Sequence, residues 1–167
     1  DINIVYNVSG GAPMGSGAPF TVNNLATGQN EVRSVSPKPM FGLNAYDLDY
    51  RFNWDTPYFV SPHDPNTIYL GGNVVFRTRD EGMNWEVISP DLTGGDPNPT
   101  PIDIYPYGTI TTVAVAKTNP DKIYLGTDDA RLWVTDNQGA NWTQVTDPGL
   151  PDRWVTKIVI SESDAND

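Results

Sequence analysis

Asp55, Asp128 and Asp129 are carboxylates that share short stretches of this chain with arginine or aromatic residues. Arg51, Trp54 and Asp55 lie together, Arg131 follows Asp128 and Asp129, and Tyr105, Tyr107, Arg153 and Trp154 complete the set. Flat aromatic faces stack on a pyranose ring while carboxylates and guanidinium groups bond its hydroxyls, so these residue types suit a glycan-binding cleft. Glycoside hydrolysis asks for more, two carboxyl groups about 5–10 Å apart across the scissile bond. Asp55 with Asp128 or Asp129 is the pair that could supply them. The plainer reading gives the same residues to structure: Asp before a strand caps a turn, Asp128-Asp129 shapes a hairpin, and Trp54 and Trp154 pack on a neighbouring loop.

Other chemistries have less to stand on. His63 is the only histidine, in the turn-like Ser61-Pro-His63-Asp-Pro, and without a matched Ser and Asp it makes no triad. There is no cysteine, hence no disulfide, thiolate metal site or thiol nucleophile. Asp91, Asp96 and Asp103 place oxygen ligands in one loop but lack the ordered spacing of a calcium loop. No cofactor is expected from these residues, calcium being the one metal the loop offers, and no metal ligands are assigned.

The elements that must position these residues announce themselves by repetition. Thr78, Asp80, Gly82 and Trp85 recur at the same spacing as Thr135, Asn137, Gly139 and Trp142. Gly two residues after Asp or Asn supplies the positive φ of a tight turn, and the Asp or Asn side chain accepts hydrogen bonds from the turn's own backbone. The Trp then opens the returning strand with a large apolar surface, worth about 1.5–3 kcal/mol or more when buried.

Ser/Thr-x-Asp-x-Gly-x-x-Trp resembles the Asp-box, the bacterial neuraminidase repeat, with Asn137 replacing Asp in the second copy. The surroundings, SPHDPNTIYLGGNVVFRTRDEGMNWEVISPDLT and NPDKIYLGTDDARLWVTDNQGANWTQV, resemble large secreted bacterial repeat proteins of the sortilin-like and glycosyl-hydrolase-like kind. The resemblance implies an all-β fold of β-propeller blades, an extracellular, surface or periplasmic location, and a non-catalytic scaffold or protein- or glycan-binding module, a fragment of a xyloglucanase- or sialidase-like glycoside hydrolase, or a sortilin-like peptide-binding receptor. Sialidases with this repeat use an arginine triad and a Tyr–Glu nucleophile pair. Neither is recognisable here, so their activity does not carry over.

Composition agrees with a strand-rich globular chain. Of 167 residues 38% are hydrophobic and 11% aromatic, with 15 Gly and 15 Pro, which favours short strands and turns over helices. A net charge of −11 repels phosphate backbones and anionic lipid headgroups and so argues against nucleic acid and membrane partners. No run of 18 apolar residues and no leader pattern is present, and the opening at Asp1 without Met reads as a fragment or processed piece.

A second register, Asp1-Ile-Asn-Ile-Val-Tyr6, Asp64-Pro-Asn-Thr-Ile-Tyr69 and Asn119-Pro-Asp-Lys-Ile-Tyr124, spaces its tyrosines 63 and 55 residues apart, near the length of a propeller blade plus a loop. About three four-stranded antiparallel blades in an incomplete ring are expected. Residues 1–53 form a degenerate first blade and a long loop. Residues 54–106 and 107–153 are the two Asp-box blades, and 154–167 start another. The inner strands are assigned to Tyr58–Val60, Thr109–Ala116 and Val155–Ile160. The second strands are Thr67–Leu70 and Lys122–Leu125, the third Val74–Arg77 and Arg131–Thr135, and the fourth start at Trp85 and Trp142. The first blade, with a strand-like TVNNL, a turn at 26–29 and a strand over Glu31–Val35, lacks the Trp and is expected to be the loosest. In such blades Arg51, Trp54, Asp55, Tyr105, Tyr107, Asp128, Asp129, Arg131, Arg153 and Trp154 fall on the rim opposite the Asp-boxes. Three blades do not close a ring, which points to a larger propeller or further copies of the chain as partners.

Overall fold

The computed structural model describes residues 2–8, 20–33, 35, 50–53, 55–94, 108–145, 149 and 151–166. These form strands and turns only, in three antiparallel sheets whose hydrogen-bonded neighbours are consecutive in sequence. The first holds β1 (Ile4–Val8), β2 (Phe20–Asn24) and β3 (Gln29–Val32). The second holds β4 (Tyr58–Val60), β5 (Ile68–Gly71), β6 (Val75–Thr78) and β7 (Glu86–Val87), and the third β8 (Ile110–Val115), β9 (Ile123–Thr127), β10 (Leu132–Thr135) and β11 (Thr143–Val145). They are propeller blades stacked face to face, and the ring does not close.

Strand alternation explains the stacking. Successive side chains of a strand point to opposite faces. Ile68, Leu70 and Phe76 therefore join Phe20 and Val22 in a core between the first and second sheets. Tyr69 and Val75, one residue out of phase, join Val113, Val115, Ile123 and Leu125 between the second and third. Both faces of the second sheet are covered, so its central strand is an unbroken apolar run, Ile68-Tyr69-Leu70, with each residue buried. Each such side chain contributes about 1.5–3 kcal/mol.

The Asp-box corners act as wedges between blades. In the second sheet the Thr78 hydroxyl donates to Asp80 Oδ1 (2.8 Å) and accepts from Gly82 N–H (2.9 Å), while Asp80 Oδ1 accepts from Asn84 N–H (2.9 Å). In the third, Thr135, Asn137, Gly139 and Asn141 repeat the pattern at 2.8, 3.0 and 2.9 Å. Gly82 and Gly139 have φ of 90° and 94°. Each also faces the preceding sheet: a Cβ on Gly82 would meet the Phe20 ring at 2.9 Å, and one on Gly139 the Ile88 carbonyl oxygen at 2.8 Å. The Trp85 ring stands edge-on to Phe20 at 5.2 Å, and the Trp142 indole N–H donates to the Ile88 carbonyl at 3.0 Å. Arginines tie the same corners from the preceding sheet, Arg33 to the Glu81 carbonyl (2.8 Å) and Arg77 to that of Gln138 (3.1 Å).

Some expectations need correction. The first sheet has three strands among the described residues rather than four. Its first hairpin strand starts at Phe20, not Thr21, because Phe20 packs under Gly82, and β3 ends at Val32 rather than Val35. β7 and β11 begin one residue after their tryptophans. Val155–Ile160 forms no strand: it crosses the third sheet, where Val155 N–H donates to the Thr127 carbonyl (3.0 Å) and the Thr111 hydroxyl to the Val155 carbonyl (2.6 Å).

Candidate functional site

Four of the nominated residues, Arg51 ahead of β4 and Asp128, Asp129 and Arg131 in the β9–β10 turn, meet on the rim opposite the Asp-boxes. Arg51 packs against the β5–β6 turn through a backbone exchange with Asn73: its N–H donates to Asn73 Oδ1 (2.9 Å), and Asn73 N–H donates to the Arg51 carbonyl (2.9 Å). The guanidinium then reaches Asp91 Oδ2 (2.7 Å), the Thr93 hydroxyl (2.9 Å) and the Gly108 carbonyl (3.3 Å). Asn73 Nδ2 donates to Asp91 Oδ2 as well (2.9 Å). Burial works to raise the Asp91 carboxyl, but the hydrogen bonds from Asn73, Thr93 and Arg51 together outweigh it and hold its pKa below the usual carboxylate range.

Asp128 is buried and accepts from Gly108 N–H (3.1 Å), Thr109 N–H (2.9 Å) and the Thr109 hydroxyl (2.7 Å). Since Gly108 has φ of 80° and starts the approach to β8, Asp128 serves as the cap that fixes where that strand enters the sheet. Asp129 accepts from the Thr127 hydroxyl (2.5 Å), from Gly94 N–H (2.5 Å) and from Arg131 Nε (2.9 Å). Arg51, Asp91, Asp128, Asp129 and Arg131 thus form one polar girdle that joins segments 91–94 and 108–109 to the β5–β6 and β9–β10 turns. Its carboxylates are engaged by backbone N–H groups, hydroxyls and arginines of the chain itself.

Asp55, Arg153 and Trp154 take no part in the hydrogen bonds that build this girdle. Asp55 is exposed beside the buried Thr56, and Trp154 is about half exposed next to Arg153, in the segment leading to Val155. Trp54, Tyr105, Tyr107, Asp96 and Asp103 lie outside the described residues. No group of three or more His, Cys, Asp or Glu capable of holding a metal occurs among the described residues. His63 bridges blades, its Nε2 lying 2.8 Å from the Ala116 carbonyl, which requires the proton on that nitrogen.

Sequence reasoning overlooked Asn73, Thr93 and Gly108, each indispensable to the girdle. Asp91-Leu-Thr93 carried a local signal, because Asp91 Oδ1 accepts from both the Thr93 N–H (3.0 Å) and its hydroxyl (2.7 Å), an Asx turn. It also overlooked a groove of about 690 Å³ on the Asp-box side, between the second and third sheets, walled by Arg77 and Arg79 on one flank and Asp121 and Asp136 on the other.

Neither the protein-family models nor the curated proteins contain a match to this chain. Among solved structures, a GH74 xyloglucanase from Xanthomonas campestris is similar at 20% identity and a TM-score of 0.48, over 89% of this chain and 23% of that one. A GH74 enzyme from Niastella koreensis is similar at 13% identity and a TM-score of 0.36, over 96% and 36%. YCF48 bound to D1 peptide follows at 13% identity and a TM-score of 0.20, over 90% and 80%. The chain spans about a quarter of the first of these, and the comparisons assign it to no family.

Proposed function

We propose that this chain is a non-catalytic β-propeller module of an exported protein, serving as a scaffold or as a surface that binds protein or glycan. One observation carries the reading: Asp128 and Asp129, the best placed of the nominated acid–base carboxylates, are engaged in building the fold. A general acid or base must reach the atom it serves at about 2.6–3.2 Å. Asp128 spends both oxygens on Gly108 and Thr109, inside the structure. The exposed surface left for recognition on that rim includes Asp55, Arg153 and Trp154.

The rival, a fragment of an Asp-box glycoside hydrolase acting through Asp55 with Asp128 or Asp129, makes a different forecast. Titration of a panel of polysaccharides and peptides into the chain, with Trp154→Ala as control, tests the binding reading directly. Saturable binding without turnover, weakened by Trp154→Ala, supports it. Hydrolysis that disappears with Asp55→Asn in a folded protein overturns it.

A further inference from the structure

The groove of about 690 Å³ on the Asp-box side carries an uneven distribution of charge. On its second-sheet flank Arg77 Nε lies 2.6 Å and Arg79 Nε 3.8 Å from the same Glu86 oxygen, so two guanidinium groups share one carboxylate. On its third-sheet flank Lys122 Nζ is 2.8 Å from Asp136, while Asp121 accepts the neutral Gln138 amide at 2.7 Å, so two carboxylates share one ammonium. One positive charge is left over on one flank and one negative charge on the other. The corner that faces the first sheet differs. There Glu81 stands where Gln138 stands here, and Arg33 has both Glu81 (3.8 Å) and Glu31 (2.7 Å) beside it.

The surplus charges are accessible. The Arg79 side chain is 60% exposed and that of Asp136 68%, and ion pairs this exposed are worth at most about 1 kcal/mol, so both ends can turn to a ligand. Between the flanks lie Ile88, Pro90 and Ala140, with no aromatic ring from the described residues. A pyranose therefore finds no stacking platform in this groove.

The main chain of β7 supplies the third feature. Val87 pairs with Phe76, whose side chain is turned toward the first sheet, so the Val87 side chain lies on that face too and its main chain is what it gives the groove. Ile88 N–H donates to the Val75 carbonyl at 2.9 Å, and by alternation the Val87 N–H and carbonyl point away from β6. Neither has a partner among the described residues. An added strand would bond both.

We propose that this groove binds an extended peptide in which an acidic and a basic residue flank one residue that pairs with Val87. The flanking side chains fall on the face of Glu86 and Ile88, toward the groove, where the acidic one meets Arg79 and the basic one Asp136. Main-chain bonds hold the peptide and the two charges select its sequence. The site lies on the rim opposite Trp154 and stands apart from any binding there.

The test is a titration of acetyl-Ser-Thr-Glu-Val-Lys-Thr-Ser-amide into the isotopically labelled chain, followed by amide shifts. Saturable shifts at Val87, Gln138 and Ala140 are expected. Arg79→Ala and Asp136→Asn, both at exposed positions, should each weaken binding by roughly two- to fivefold with near-ultraviolet dichroism unchanged, whereas Trp154→Ala should leave it as it was. The same peptide with N-methylvaline at its centre loses the N–H that bonds the Val87 carbonyl and should not bind. No saturable shift at millimolar peptide overturns the proposal. Equal binding of the N-methyl peptide, or of one with Gln in place of both Glu and Lys, overturns it as well. Shifts of the same amides by cellohexaose, without response to the peptide, would give the groove to a glycan instead.

Discussion

At the scale of single residues, the two Asp-box corners are near copies that differ in useful ways. Hydrogen bonds from the Asn84 side chain, the Asn84 backbone and the Thr78 hydroxyl lower the Asp80 pKa to about 2. A carboxylate depressed on folding contributes stability that is present above its unfolded pKa near 4 and is lost as pH falls through the folded value. Asn137 holds the same position in the other corner and does not titrate. Asp80→Asn is therefore expected to leave stability at neutral pH nearly unchanged while flattening the loss between about pH 4 and pH 2, checked by denaturant titrations across that range. The tryptophans differ too. The Trp142 indole has the Ile88 carbonyl as acceptor, whereas the Trp85 indole N–H is buried with no partner among the described residues. Trp142→Phe loses a hydrogen bond and strands a carbonyl, for about 1–3 kcal/mol, whereas Trp85→Phe should cost less because it also removes an unsatisfied donor. Chemical denaturation of the two variants decides; an equal or larger loss at Trp85 contradicts the assignment.

At the scale of the element, glycines report whether a corner merely turns or also touches its neighbour. Gly28 has φ of 72° and open space around it, while Gly82 has φ of 90° with the Phe20 ring against it. Gly28→Ala should cost about 1 kcal/mol for conformation alone, and Gly82→Ala about 1–3 kcal/mol more for the displaced ring, measured by denaturant midpoints. These corners were legible in the sequence because turn chemistry is local: hydroxyl, Asx, Gly and Trp within eight residues name the hairpin. Two of the three expected inner strands, β4 and β8, were legible by alternation, whereas Val155–Ile160 forms no strand. Phe20 was not, since it follows a Gly-rich stretch and acquires its meaning only from Gly82, far along the chain. The polar girdle was half legible. Arg51, Asp128, Asp129 and Arg131 were singled out for their types, but the pairing of Arg51 with Asp91 and of Asp128 with Gly108 spans 40 and 20 residues, which no local pattern encodes.

At the scale of the whole molecule, the described sheets stack as an open arc of blades. The arc itself rests on the claim that each Asp-box corner is wedged against the sheet before it. Proton NOE spectroscopy of the isotopically labelled chain tests this most directly. The account predicts contacts from the Trp142 indole proton to Ile88 and from the Gly82 α-protons to the Phe20 ring, the latter with ring-current shifts. Spectra in which both corners show contacts only within their own hairpins would contradict it.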